Sequence, residues 1–155
     1  MKRLLHAALL LSLAPLLAVA AEPAALTLED AWVRALPPGQ PNTAAYLTAT
    51  NSGAAAVTIV GASAAIAAST EIHTTREVDG LQRMEQVAQL QLAPGQSLAF
   101  APGGTHLMLM GLAQMPAPGE QVQLCLELAG GAQVCTLAEV KKSAGNGQSH
   151  EHHQH

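Results

Sequence analysis

Aromatic side chains are nearly absent from this chain, which has one Trp, one Tyr and one Phe in 155 residues. Bases would find no stacking platform on it. Basic residues are equally scarce. Seven Lys and Arg stand against eleven Asp and Glu, and no basic stripe follows the phosphate pattern of a nucleic acid. Nucleic acid is therefore excluded as a partner. The only aspartates are Asp30 and Asp79, and no set of nucleophile, base and orienting group can be assembled, so the sequence argues against an enzyme. Long helical periodicity is also missing. There are two cysteines, Cys125 and Cys135, neither near the N-terminus.

What is present begins with a leader. Met1-Lys2-Arg3 is basic, Leu4 to Val19 is almost wholly Leu and Ala, and Ala18-Val19-Ala20 supplies the small residues of a cleavage site. Residues 1–21 read as a signal peptide cut near Ala20 or Ala21. The apolar run is short and broken by Pro15, and no cysteine follows it for lipid attachment, so a periplasmic protein without a membrane anchor is expected. The mature chain would carry a net charge of about −6, since Lys2 and Arg3 leave with the leader. Its length suits one domain, assigned to residues 22–140. Residues 141–155 carry no apolar side chain after Ala144 and read as a flexible tail.

Between leader and tail, short runs of strand-forming residues alternate with turn signals. Strands are expected at 44–50, 57–60, 71–75, 81–90, 97–100, 105–110, 121–128 and 133–140. Val78-Asp79-Gly80, Pro94-Gly95, Pro102-Gly103-Gly104 and Pro116-Ala117-Pro118-Gly119 separate several of them. Seven or eight such strands imply an all-β sandwich or barrel. Ala54 to Ala68 is ambiguous, because alanine favours helix while Val57, Ile59 and Val60 favour strand; strand followed by loop is the reading adopted. Cys125 and Cys135 flank an Ala-Gly-Gly-Ala hairpin turn. A cross-strand disulfide and two small buried side chains both remain open for them.

The chemistry concentrates in His73, Met84, His106 and Met108. A four-residue loop at Glu77 to Gly80 would set His73 opposite Met84, and the period of two puts His106 and Met108 on one face of their strand. Two such pairs brought together make a four-coordinate site of two imidazoles and two thioethers. A thioether is a soft donor that suits Cu(I), or Ag(I), and serves zinc, magnesium or calcium poorly. Neutral ligands leave the ion its charge, which favours an accessible site at the edge of the sandwich. Met110 and Met115 are assigned to packing, and Trp32 to structure near the site.

The order His73, ten residues, Met84, twenty-one residues, His106-Leu107-Met108 resembles the signature of the periplasmic copper chaperone family often called PCuAC. Ala31-Trp32-Val33-Arg34, Ala45-Tyr46-Leu47-Thr48 and Pro102-Gly103-Gly104-Thr105 extend the likeness over most of the domain. The resemblance implies a cupredoxin-like Greek-key β-sandwich. It also implies Cu(I) as cargo, and delivery to the dinuclear copper site of cytochrome c oxidase or to an assembly factor for it. Thr74 departs from the family, where a methionine is frequent. A monomer is expected.

The tail holds His150, His152, His153 and His155, a composition suited to a weaker Cu(II) or Zn(II) site. A copper storage or resistance protein would use the same four principal ligands. A sandwich with a purely structural role would scatter them. A blue-copper electron carrier would need a cysteine close to histidine and methionine near the domain's end, which neither cysteine offers.

Overall fold

The computed structural model describes residues 26–142, and over that span the chain forms ten β-strands and no helix. They are β1 (Leu26–Arg34), β2 (Thr43–Asn51), β3 (Val57–Ala64), β4 (Ser69–Val78), β5 (Leu81–Gln86), β6 (Leu90–Leu92), β7 (Ser97–Phe100), β8 (Thr105–Met110), β9 (Gln121–Leu128) and β10 (Gln133–Lys141). Hydrogen bonds link them in the order β5-β4-β8-β2-β1-β10-β9-β3-β6, with β7 also on β2. The proposed leader lies outside the described residues, as does the proposed tail from residue 143 on; Lys141, expected to begin that tail, is instead the last residue of β10.

The two halves of this path pack on each other as a cupredoxin-like sandwich. Val33, Leu47, Ile72, Leu107 and Leu109 come from one half and Ile59, Leu92, Val122, Leu124, Leu126 and Val140 from the other, and all are buried in one cluster. Alternation dictates which residues these are. In β8, Leu107 and Leu109 point inward, so His106 and Met108 must point outward. In β4, Ile72 is the inward residue and Glu71 and His73 flank it.

Strand β1 joins the halves, running antiparallel to β2 and parallel to β10. It was not expected from the sequence, because its alternation is broken at Glu29-Asp30. The structure places a bulge there, with Asp30 in the left-handed region at φ 53°. Residues 81–90 were expected as one strand. They form two, because the chain leaves β4 after β5 and crosses to pair with β3 as β6. The alanine-rich stretch is strand followed by turn, as read, with the strand continuing to Ala64.

Cys125 and Cys135 are directly paired across β9 and β10 and form a disulfide. The four-residue Ala129–Ala132 connection sets that register, with Leu128 N–H donating to the Ala132 carbonyl.

Asn51 is the buried polar hub of the fold. Its side chain is 0% exposed and donates from Nδ2 to the carbonyls of Ala55 at 2.8 Å and Leu92 at 2.9 Å, while Oδ1 accepts from Gly53 N–H at 3.0 Å. It ties the end of β2 to β6 in the opposite layer. Asn51→Ala would leave the buried Leu92 carbonyl and the part-buried Ala55 carbonyl and Gly53 N–H without this partner, at a cost of about 1–3 kcal/mol. Urea unfolding should show a lowered midpoint with an unchanged slope.

Candidate metal centre

The four sequence-selected residues lie on the outward face of the β5-β4-β8-β2 layer. His73 and His106 are direct cross-strand partners in the β4–β8 ladder, with ring centroids 6.0 Å apart and planes inclined at 60°. Met108 is one step along the same face, opposite Glu71 on one side and Ala44 on the other. Met84 reaches that face from β5. With His106 and Met108 it lines an open cavity of about 320 Å³, walled also by Arg34, Tyr46 and Pro102.

Met84 is not opposite His73 as expected. The β4–β5 hairpin turns on two residues, Asp79 and Gly80, with φ of 54° and 76°, rather than on four. Both positions are left-handed, as the tight turn that matches strand twist requires, and Asp-Gly suits it. Thr75 therefore faces Met84 and Gln86 faces His73. The slip is two residues, so Met84 keeps its face and becomes a diagonal neighbour of His73. A slip of one would have turned it away.

Hydrogen bonds fix the ring tautomers. His106, 5% exposed, donates from Nδ1 to the Gly104 carbonyl at 3.0 Å, which leaves Nε2 as a bare lone pair. His73 donates from Nε2 to the Glu71 carboxylate at 2.7 Å. Its Nδ1 is buried and has no hydrogen-bond partner among the described residues. Each ring thus presents one free nitrogen while a protein oxygen holds the other, the usual arrangement around a ligating histidine. Glu71 was missed in the sequence. Its position two residues before His73 on a strand, hence on the same face, was the available signal.

The donor set is neutral and mixed. Among the described residues no group of three or more His, Cys, Asp or Glu is placed to hold a metal ion. Thr74 faces Thr105 on the opposite side of β4 from His73, so its departure from methionine does not touch this face. Met110 shares the outward face one step further on, and Met115 is buried in the core. His150, His152, His153 and His155 lie outside the described residues.

Beside His106 on the same sheet face, Tyr46 packs on its cross-strand partner Trp32 with centroids 4.4 Å apart and planes inclined at 33°, and Arg34 lies 5.3 Å above the Tyr46 ring. Both aromatics are buried yet stand outside the main core cluster, forming a second small packing group beside the site.

A solved copper-bound PCuAC domain from PmoF2 is 22% identical, with a TM-score of 0.63 over 77% of this chain and 94% of that one. The solution structure of CuI-DR1885 from Deinococcus radiodurans is 35% identical, with a TM-score of 0.61 over 81% and 83% respectively. The chain thus has the fold of PCuAC domains. Residues 26–140 match the family model described as "Putative lipoprotein LpqE-like". "Putative lipoprotein Lxx21020" of Leifsonia xyli subsp. xyli (strain CTCB07) is 31% identical over 121 residues, 77% of this chain and 72% of that protein. The chain belongs to the LpqE-like family.

Burial holds the Tyr46 phenol above its ordinary value near 10, and the Arg34 guanidinium only partly offsets this. The folded state therefore keeps the phenolic proton more tightly than the unfolded chain. Stability from this group is intact below pH 10 and falls as pH rises above it. Tyr46 is the sole tyrosine, so tyrosinate absorbance should appear at higher pH in the native protein than in denaturant. Arg34→Ala should move the native onset higher still.

Proposed function

We propose that this protein is an exported, non-enzymatic Cu(I) metallochaperone that carries one ion on His73, Met84, His106 and Met108 and passes it to a protein acceptor. The observation that carries the reading is the direct pairing of His73 with His106, with Met84 and Met108 on the same sheet face. Its support from relatives lies in the names of the copper-bound PmoF2 domain and CuI-DR1885, whose fold this chain shares. Residues 1–21 would be the export signal, residues 22–140 the copper-binding domain and residues 141–155 the tail, with the periplasm as its place of work.

Two imidazoles and two thioethers favour Cu(I) and give no tetragonal nitrogen–oxygen surroundings to Cu(II). Oxidation would weaken the hold and assist release. Met84 supports transfer over storage: it is 54% exposed on the hairpin edge, so an incoming ligand can replace a thioether without opening the core. The acceptor we favour is the dinuclear copper site of cytochrome c oxidase or its assembly factor. The tail histidines His150, His152, His153 and His155 would form a separate, weaker site for Cu(II) or Zn(II).

Anaerobic Cu(I) titration against a competing chelator tests this, using chains ending at Gly145 to remove the tail. One tightly held equivalent is expected. Met84→Ala and His106→Ala should each weaken it by more than the roughly 10–100-fold that loss of an outer-shell partner costs. Unchanged binding in either variant would remove that residue from the site.

A further inference from the structure

Among the described residues strand β5 ends the sheet, with β4 as its one strand neighbour. All six of its residues are exposed. It carries two of the four large exposed apolar side chains among the described residues, Leu81 at 62% and Met84 at 54%. Such an edge is a ready template for another strand unless charge or a bulge blocks it. The chain has charges here, and their order selects a partner.

The ladder defines which backbone groups are free. Val87 N–H donates to the Ile72 carbonyl at 2.8 Å, and the two-residue turn closes on Val78 and Leu81. By alternation Leu81, Arg83 and Glu85 direct their peptide groups at β4, whereas Gln82, Met84 and Gln86 direct theirs to the open edge. An added antiparallel strand must bond to those three.

Residues 81–87 read Leu-Gln-Arg-Met-Glu-Gln-Val. Reversed upon itself about Met84, this segment matches at every position. Leu81 meets Val87 of the second copy, Gln82 meets Gln86, Arg83 meets Glu85, and Met84 meets Met84. The Met84 and Gln82–Gln86 pairs are the ones whose peptide groups face outward, so the two-fold pairing satisfies the edge in register. Arg83 and Glu85 then fall in the non-hydrogen-bonded positions, where Cα atoms are only about 4.5 Å apart and side chains lie closest. Within one copy Arg83 faces Arg76, whose Nε lies 3.7 Å from the Glu85 carboxylate across the exposed ladder, and Arg83 itself has no ion pair among the described residues. The second copy supplies its carboxylate.

We infer that β5 is a self-complementary docking edge at which two copies of this chain pair antiparallel about Met84. The joined sheet sets the two Met84 side chains directly opposite each other on the face that carries both sites. A thioether of each copy thereby borders the centre of the other. One strand edge buries less than the roughly 1,200 Å² of a stable complex, so the association is weak and is read at high concentration. The pairing rests on strand geometry and charge order, and stands apart from the copper reading.

Sedimentation of the full chain in metal-free buffer, up to about 1 mM, tests it by charge reversal. Wild type should self-associate reversibly. Arg83→Glu and Glu85→Arg should each weaken self-association about tenfold, because either places like charges opposite each other twice. An equimolar mixture of the two variants should regain the dimer, as should the double variant Arg83→Glu/Glu85→Arg. A wild type that stays monomeric at that concentration, or a mixture that behaves as its separate components do, would overturn the inference.

Discussion

Everything at the candidate centre depends on the register of β4 against β8. Ile72 and Leu107 are direct partners in that ladder and both are buried in the core. Shifting one strand by a single residue would drive a histidine into the apolar interior and expose a leucine, so burial holds the alignment. With that pair locked, His73 and His106 must stand side by side on the outer face. The hydrophobic core thus positions polar groups that it does not touch.

From this alignment the rest of the site follows in short steps. The Asp79-Gly80 turn returns β5 along β4 and brings Met84 to the same face, while the pleat of β8 brings Met108. Glu71 and the Gly104 carbonyl each accept a hydrogen bond from one ring N–H, leaving a lone pair on the other nitrogen of each imidazole. The buried Trp32–Tyr46 pair stiffens the sheet face beside them. Of the four candidate ligands only Met84 sits on an edge strand, and it is exposed, so a partner can reach it without rearrangement of the core.

Much of this was legible in the sequence. The limits of β7, β8 and β9 coincide with the expected ones, since Pro-Gly turns bound most of their ends. The shared face of His106 and Met108 needed only the strand period. Less legible was β1, whose bulge at Asp30 breaks the period on which such a reading relies. The 81–90 run hid a crossing between layers, because strand propensity does not reveal which neighbour a strand pairs with. The hairpin register was misjudged by two residues, an error that preserves the face and so left Met84 among the candidates. The partnership of Cys125 with Cys135 depended on turn length, which composition alone left open. Of the ring partners, the Gly104 carbonyl became visible only with coordinates, whereas Glu71 had left a signal in its spacing from His73.

X-ray absorption of the Cu(I)-loaded domain, without its histidine tail, tests the central claim most directly. Two nitrogen and two sulfur neighbours per copper are expected, with one sulfur shell member lost in Met108→Ala. A shell of nitrogen and oxygen alone, or a spectrum unchanged in that variant, would contradict the four-ligand account.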